Sequence, residues 1–367
     1  MDWIRGEELG HGSFAKVNLA VPRNHSTFLP PLMAVKSCGV SHSSSLMREK
    51  VILEEFKECP EIIQCFGDSF SCENGVKLYN VLLEYCPGGD VAEKLRNSGD
   101  RRLPESDVRR YTKALLKGLC YVHRAGYVHC DIKLQNILLG RNGAVKIADF
   151  GLAKKAGGND GVLRCELRGT PLYMSPEMVT GGEQGTAADI WALGCVVAEM
   201  VGGAPARRFS DVATLLMRIG AGEEVPEIPD ILSDEGKDFI GKCFVRDPSK
   251  RWTAEMLLNH PFISDDQDFD NDRNIELKDV QDNTPSTSPR CPFNFPDWVS
   301  ASVTCSITSL CSLEYAPESG LWFSEDSNLR NGCGYGSGSI SPAERLRGLV
   351  SEKGPNWSVT DDWVTIR

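Results

Sequence analysis

Asp131, Lys133 and Asn136 stand two and three residues apart in the stretch His129-Cys130-Asp131-Ile132-Lys133-Leu134-Gln135-Asn136-Ile137-Leu138-Leu139. A carboxylate, an ammonium and an amide so arranged match the needs of phosphoryl transfer. The acid meets the attacking hydroxyl, the cation sits near the moving charge, and the amide oxygen binds a metal. A pattern this short arises by chance in unrelated chains, so it demands partners in order along the sequence. Downstream, Val145-Lys146-Ile147-Ala148-Asp149-Phe150-Gly151 supplies a second acid directly after a β-like segment. Asp149 and Asn136 would then offer hard oxygen ligands to two magnesium ions bridging the nucleotide phosphates.

The elements that must position these groups are legible on either side. Leu9-Gly10-His11-Gly12-Ser13-Phe14-Ala15-Lys16-Val17 reads as two strands joined by a glycine-rich hairpin, whose backbone N–H groups can approach phosphates. Met33-Ala34-Val35-Lys36 is an apolar run ending where a strand would present an ammonium to the α- and β-phosphates. A serine cluster, Ser41 to Ser45, precedes Leu46 to Leu53, whose apolar spacing predicts an amphipathic helix. Glu49 within that helix is the acid expected to hold Lys36, with Glu54 and Glu55 as competitors. Ile62 to Gly67 and Lys77 to Tyr85 predict two more strands and so a five-stranded lobe. Pro104 opens a helix with Val108, Tyr111, Leu115, Leu119 and Val122 on one face, closed near Gly126. His129 is expected as a buried, hydrogen-bonded anchor, because the adjacent acid already supplies the base.

The chain of 367 residues carries a formal net charge of -11 that is unevenly spread. Residues 264 to 367 hold 17 acidic against 8 basic side chains, and residues 1 to 263 hold 34 against 32. A near-neutral body with an acidic tail has no electrostatic footprint for nucleic acid or for an anionic membrane. The 14 cysteines form no C-x-x-C pair, which argues against a zinc framework, and no secretory leader is evident. A reducing compartment, cytoplasmic and/or nuclear, is the expectation, with the cysteines as thiols. No apolar run approaches the roughly 18 residues of a membrane span.

Taken in order, these motifs make residues 3 to 263 resemble the eukaryotic protein kinase domain. Gly169-Thr170-Pro171-Leu172-Tyr173-Met174-Ser175-Pro176-Glu177, with Lys133, gives the serine/threonine rather than the tyrosine pattern. The resemblance implies an α+β, two-lobed fold, a small five-stranded β lobe with one helix and a larger, mainly helical lobe, over residues 1 to 263. It implies ATP and Mg2+ as cofactors, with Asp131 and Lys133 catalytic and Asn136 and Asp149 on the metal. It makes Leu83-Glu84-Tyr85-Cys86-Pro87-Gly88-Gly89-Asp90 the hinge, where main-chain groups near Glu84 and Cys86 meet adenine, Leu83 borders the pocket and Asp90 reaches ribose. Leu9, Gly10, Gly12, Ser13, Val17, Ala34, Lys36, Glu49 and Leu138 complete the nucleotide-binding set. Asp189, opening a buried helix, would brace the catalytic loop, Thr170 would brace Asp131 and Lys133, and Arg251 would pair with Glu177. Within the family, Cys59 to Gly67, His129 to Lys133 and Gly169 to Glu177 look like plant MEKK-type mitogen-activated protein kinase kinase kinases. So do Ser288 to Trp298 and the closing Trp363-Val364-Thr365-Ile366-Arg367. That implies MAP kinase kinases as protein substrates, against the alternatives of a non-catalytic scaffold or a kinase of another pathway.

One departure from the pattern is informative. Many kinases carry arginine before the catalytic aspartate to pair with a phosphorylated activation-loop residue. Here that position is Cys130, and Leu152 to Gly169 contains no serine, threonine or tyrosine. Activation without activation-loop phosphorylation is therefore expected, with Cys130 read as an inert buried thiol rather than a redox sensor. Residues 264 to 367 form an acidic Ser/Pro/Gly-rich regulatory or docking tail, expected to be largely disordered. It holds Trp298, Trp322, Trp357 and Trp363, candidates for docking partner proteins, and a capping box at Ser341-Pro342-Ala343-Glu344 before Leu346, Leu349 and Val350. Thr284-Pro285, Ser288-Pro289 and Ser341-Pro342 are candidate phosphorylation sites.

Overall fold

The computed structural model describes residues 2–12, 15–23, 29–157, 168–181, 184–207, 211–222 and 225–264. All lie in the first of two compact units, Met1–Thr304, the second being Cys305–Arg367. The features expected of the tail beyond residue 264, and Ser13 of the glycine-rich hairpin, lie outside the described residues.

Five antiparallel strands form the first layer: β1 (Trp3–His11), β2 (Lys16–Pro22), β3 (Met33–Gly39), β4 (Cys65–Glu73) and β5 (Val76–Glu84), in the order β1-β2-β3-β5-β4. Between β3 and β4 runs α1 (Ser44–Glu55), which buries Leu46, Glu49, Ile52 and Leu53. The strand expected over Ile62 to Gly67 begins three residues later and runs further along the chain, since β4 spans Cys65–Glu73. The backbone of the preceding residues is spent elsewhere. Ile63 N–H donates to the carbonyl of Ile147 at 3.0 Å and Ile147 N–H to that of Glu61 at 2.7 Å, which ties this connection to the segment that carries Asp149.

One side chain clips the outer face of the sheet together. Arg5 on β1 donates to Asn18 on β2 (3.3 Å), Ser37 on β3 (2.9 Å), Asn80 on β5 (2.9 Å) and Glu73 on β4 (2.9 Å). Ser37 follows Lys36, and alternate residues of a strand face opposite sides. The clip therefore fixes β3 from behind while Lys36 faces the site.

After α2 (Val91–Asn97), capped by Asp90, the chain builds its helical layer on α3 (Glu105–Arg124). The five positions predicted for its inner face are each at most 1 % exposed. Burial of each such side chain contributes about 1.5–3 kcal/mol. β6 (Tyr127–Val128), β7 (Ile137–Leu139), β8 (Val145–Ile147) and β9 (Lys154–Lys155) form two short hairpin-like pairs, β6 with β9 and β7 with β8. They carry the loops that hold the chemistry. Then follow α4 (Pro176–Val179), α5 (Thr186–Gly202), α6 (Val212–Ala221), α7 (Asp234–Cys243), α8 (Ala254–Leu258) and α9 (Pro261–Ser264). The buried helix expected to open at Asp189 starts at Thr186, so Asp189 lies in its first turn. Along α5, Ala188 to Val201 are all buried. A helix buried on every side, its two carboxyls Asp189 and Glu199 both hydrogen-bonded, belongs at the centre of its layer.

Candidate active site

The loop between β6 and β7 is held from below by one carboxylate. Asp189 Oδ2 accepts the backbone N–H of His129 at 2.8 Å and Oδ1 that of Cys130 at 3.0 Å, while His123 Nε2 lies 2.9 Å from Oδ2. Burial opposes the charge on Asp189, but the bonds from His123 and the loop outweigh it and hold the acid below its ordinary range. The two N–H bonds offset a local cost, for Cys130 has φ 70°, a left-handed conformation that costs an L-residue roughly 1–2 kcal/mol. His129 is fully buried, as expected of an anchor. Its Nδ1 accepts the N–H of Asp131 at 3.2 Å and its Nε2 lies 3.2 Å from the carbonyl of Ala148, so the bonding assigns the proton to Nε2. Its ring meets that of Phe150 edge-on at 4.7 Å, which joins this loop to the next.

Asp131 emerges from this platform with both oxygens addressed. Thr170 Oγ1 donates to Oδ1 at 2.7 Å, Lys133 Nζ lies 2.7 Å from Oδ2, and Lys133 also donates to Thr170 Oγ1 at 3.1 Å. Thr170 can reach because Gly169 runs tight against the loop at φ 111°, where a Cβ would fall 2.5 Å from the Cys130 carbonyl. Asn136 Nδ2 donates to the backbone oxygen of Asp131 (2.8 Å) and to its Oδ2 (3.1 Å). That turns the amide oxygen away from Asp131.

Asp149, itself left-handed at φ 67°, is tied to this group through its neighbour, the N–H of Ala148 donating to the Asn136 carbonyl at 2.9 Å. Its Oδ1 accepts from Lys36 Nζ at 2.8 Å, and the same ammonium donates to Glu49 Oε2 at 2.5 Å. Lys36 and Glu49 are both buried, and of the three candidate acids it is Glu49 that faces the lysine. Registers across the sheet put Gly10, Val17, Lys36 and Val81 in one row and bring Ala34 beside Leu83. The hairpin of the glycine loop is thereby indexed to the lysine. Gly12 N–H closes that hairpin on the carbonyl of Ala15 at 2.8 Å.

The hinge residues converge on the same side. Glu84 receives Lys146 Nζ at 2.9 Å and its N–H donates to the Gln64 carbonyl at 2.8 Å. Cys86 and Leu138 pack against the large core, Leu83 against that core and the one beneath α1, and Leu9 is half-buried on β1. Asp90 pairs with Leu138 in an isolated bridge. Its Oδ1 caps α2 by accepting the N–H of Glu93 at 2.7 Å, while Oδ2 is buried without a hydrogen-bond partner. Burial, only partly opposed by that cap, pushes the Asp90 carboxyl up to about 7. An orphaned acceptor of this kind fits a donor brought by a ligand, as a ribose hydroxyl would be. The carboxylate of Asp149 and the amide oxygen of Asn136 fit Mg2+, a hard ion usually held by one or two protein oxygens together with substrate phosphates.

Several residues of the site have no signature in the sequence. His123 beneath Asp189, Lys146 beside Glu84, Arg5 on Asn80 and Ser45 on the Gly151 carbonyl all act across more than 60 residues of chain.

A family model described as the protein kinase domain matches residues 3–263. Over its whole length the chain is similar to mitogen-activated protein kinase kinase kinase 20 of Arabidopsis thaliana, 46 % identical over 372 residues that cover all of both proteins. It is 42 % identical to mitogen-activated protein kinase kinase kinase 17 of the same plant, over 74 % of this chain and 72 % of the relative. To mitogen-activated protein kinase kinase kinase A of Dictyostelium discoideum it is 33 % identical, over 77 % of this chain and 29 % of the relative.

Proposed function

From the premise that the chain belongs to the protein kinase family and is an ATP-dependent serine/threonine kinase, we propose that it phosphorylates MAP kinase kinases. The observation that carries the transfer chemistry is the clamp on Asp131. Lys133 and Thr170 fix its two oxygens and each other, which aims one carboxylate at an incoming hydroxyl. Support for the substrate class comes from the relatives' names and from an identity that extends over the full length of kinase kinase kinase 20 rather than the domain alone.

In this reading Asp131 orients the substrate serine or threonine and accepts its proton. Lys133 stands beside the transferred phosphoryl and balances its charge, and Thr170 keeps the lysine and the acid in register. Lys36, steered by Glu49, binds the α- and β-phosphates. Asn136 and Asp149 would hold Mg2+, which supplies charge neutralisation on the nucleotide phosphates. Gly10 and Gly12 cover those phosphates, Glu84 and Cys86 meet the adenine edge, and Asp90 takes the ribose. Positioning and electrostatics carry the rate, with no covalent intermediate on the protein. A scaffold without turnover is not favoured, because Lys36, Asp131, Lys133, Asn136 and Asp149 are all present and brought together. A reducing compartment, cytoplasmic and/or nuclear, accompanies the reading, its support being the 14 cysteines scattered without a C-x-x-C pair.

The test is phosphate transfer from MgATP to a panel of kinase-dead MAP kinase kinases by the full chain, beside its Asp131→Asn variant. Transfer to their activation-loop serine or threonine, lowered at least about a thousandfold by Asp131→Asn with MgATP binding retained, is expected. Transfer to generic proteins but to no member of the panel would overturn the substrate class.

A further inference from the structure

The serine run at residues 41 to 45 has no part in the reaction described above, yet one of its hydroxyls touches the machinery. Ser45, the second residue of α1, is exposed, and its Oγ donates to the carbonyl of Gly151 at 3.1 Å, across 106 residues of chain. Gly151 follows Asp149 by two positions, and Glu49 lies one turn beyond Ser45 on the same helix. A Cβ placed on Gly151 would sit 3.5 Å from Ser45 Oγ, 3.6 Å from Glu49 Oε2 and 3.4 Å from Asp149 Oδ1. The hydroxyl and the two carboxylates that hold Lys36 therefore share one small space.

The other hydroxyls of the run face elsewhere. Ser43 is buried and donates to the Val40 carbonyl at 2.8 Å, and Ser41 bonds to His42 at 2.9 Å. Ser44 is exposed at the first position of the helix. Ser45 alone in the run combines access from solvent with a bond to the segment carrying Asp149.

We propose that Ser45 is an inhibitory phosphorylation site, through which a protein kinase acting in trans disconnects α1 from Asp149. In that step the terminal phosphoryl of ATP moves to Ser45 Oγ. The bond from phosphorus to the β–γ bridging oxygen breaks, the Oγ–P bond forms, ADP leaves with the electron pair, and the hydroxyl proton passes to a base of the modifying kinase. At pH 7 the product is mostly the dianion, which has no hydrogen to donate to Gly151 and accepts hydrogen bonds only. Beside the Gly151 carbonyl, Glu49 and Asp149 it meets like charge. The backbone N–H groups at the start of α1 and the guanidinium of Arg48, three residues on, attract it the other way. Both effects pull residue 45 off the carbonyl and loosen the geometry in which Glu49 and Asp149 share Lys36. The absence of serine, threonine and tyrosine from Leu152 to Gly169 gives a site outside that segment added regulatory weight.

The inference rests on the kinase reading only through the activity measurement, so binding is measured as well. Phosphoserine is placed genetically at position 45, or at position 44 as a charge-matched control, in the full chain. One assay follows kcat/KM for ATP on a generic protein acceptor, and another the binding of a magnesium complex of a non-hydrolysable ATP analogue. Phosphoserine at 45 is expected to lower kcat/KM at least tenfold and analogue affinity at least fivefold, both restored by phosphatase. At position 44 the change is expected to stay within twofold. Ser45→Ala, which removes the bond without adding charge, is expected to raise the KM for ATP about threefold. An inactive unmodified chain would count against the kinase reading, while the binding arm would still decide this inference. Equal effects at 44 and 45, or no effect at 45, would overturn it. Phosphopeptide mapping completes the test on chain recovered from its own cells and on the Asp131→Asn chain incubated with wild type and ATP. Phosphate on Ser45 in the second sample identifies another copy of this chain as the writer, and in the first alone, a different kinase. Its absence from both would sink the proposal.

Discussion

Arg251 and Glu177, 74 residues apart, meet fork to fork: Nη1 lies 2.6 Å from Oε1 and Nη2 2.9 Å from Oε2. The arginine side chain is wholly buried and spends its remaining donors on the carbonyls of Val245, Ala187 and Arg246. It also lies over Trp191, 5.0 Å from the ring centroid. This knot joins the segment after Thr170 to the end of the helical layer, so its loss would be felt by the peptide-facing side of the site.

The first prediction concerns that knot. Glu177→Ala leaves a buried guanidinium with two unpaired donors, which costs roughly 3–5 kcal/mol. For a domain of this size that lowers Tm by about 10 °C, at roughly 2–4 °C per kcal/mol. Calorimetry of the variant checks it, and the double variant Glu177→Leu with Arg251→Met is expected to recover more than half of the loss. A double variant no better than the single would show that the ion pair matters for more than charge balance.

Tyr173 and Glu199 give a pH dependence of known sign. The hydroxyl donates to Oε2 at 2.6 Å, and burial, partly opposed by that bond, pushes the Glu199 carboxyl up to about 7. Between the unfolded value near 4.3 and about 7 the native state holds a proton that the unfolded chain has lost. The stability contributed by the neutral acid is therefore complete below pH ~4.3 and lost as pH rises through 7. Glu199→Gln keeps the acceptor and removes the titration. Relative to wild type the variant should gain on the order of 3 kcal/mol between pH 5 and pH 8. Thermal unfolding of both proteins across that range is the measurement, and parallel curves would refute the assignment.

How much of this was open to reading from the chain follows from where each constraint lives. Phosphoryl transfer needs a carboxylate, an ammonium and an amide within one loop, so Asp131, Lys133 and Asn136 are adjacent in sequence and legible at once. Local patterning likewise revealed the strands around Gly10 and Lys36 and the inner face of α3. The three residues Ile62, Ile63 and Gln64 look like strand because they are apolar or extended in character, yet Ile63 spends its N–H on Ile147, a pairing that no local pattern carries. The same holds for His123 on Asp189 and Arg5 on Asn80. These contacts are chosen by the packing of distant elements, and side chains so common have no spacing to betray them.

Cysteine reactivity separates an inert Cys130 from a redox sensor. The Cys130 thiol is 6 % exposed, and burial next to Asp189 pushes it far above the ordinary thiol range. Burial likewise pushes Cys195 up to about 12 and raises Cys243. Cys72 is exposed. Because the thiolate is the reactive form, brief alkylation of the native chain at pH 8 should modify Cys72 while sparing Cys130, Cys195 and Cys243 until denaturant is added. Peptide mapping reads the result. Labelling of Cys130 in the native chain at a rate comparable to Cys72 would restore the sensor reading.

The unpartnered Oδ2 of Asp90 ties nucleotide binding to pH. Its carboxyl is pushed up to about 7 by burial, so near neutrality the ligand-free chain divides between the acid and the carboxylate. Ribose hydroxyls donate, and donors favour the ionised form. Binding therefore draws the proton off, and affinity rises with pH. Adenosine isolates the effect, because it lacks phosphates that titrate or bind magnesium. Its affinity is expected to rise about tenfold from pH 6 to pH 8, the limit for a site in which only the carboxylate accepts. Asp90→Asn keeps a cap on α2, since asparagine is as good there as aspartate, and should flatten the profile. Calorimetric titration of both proteins at the two pH values decides the matter: a wild-type affinity independent of pH would place the ribose elsewhere, and a sloping Asp90→Asn profile would assign the proton to another group.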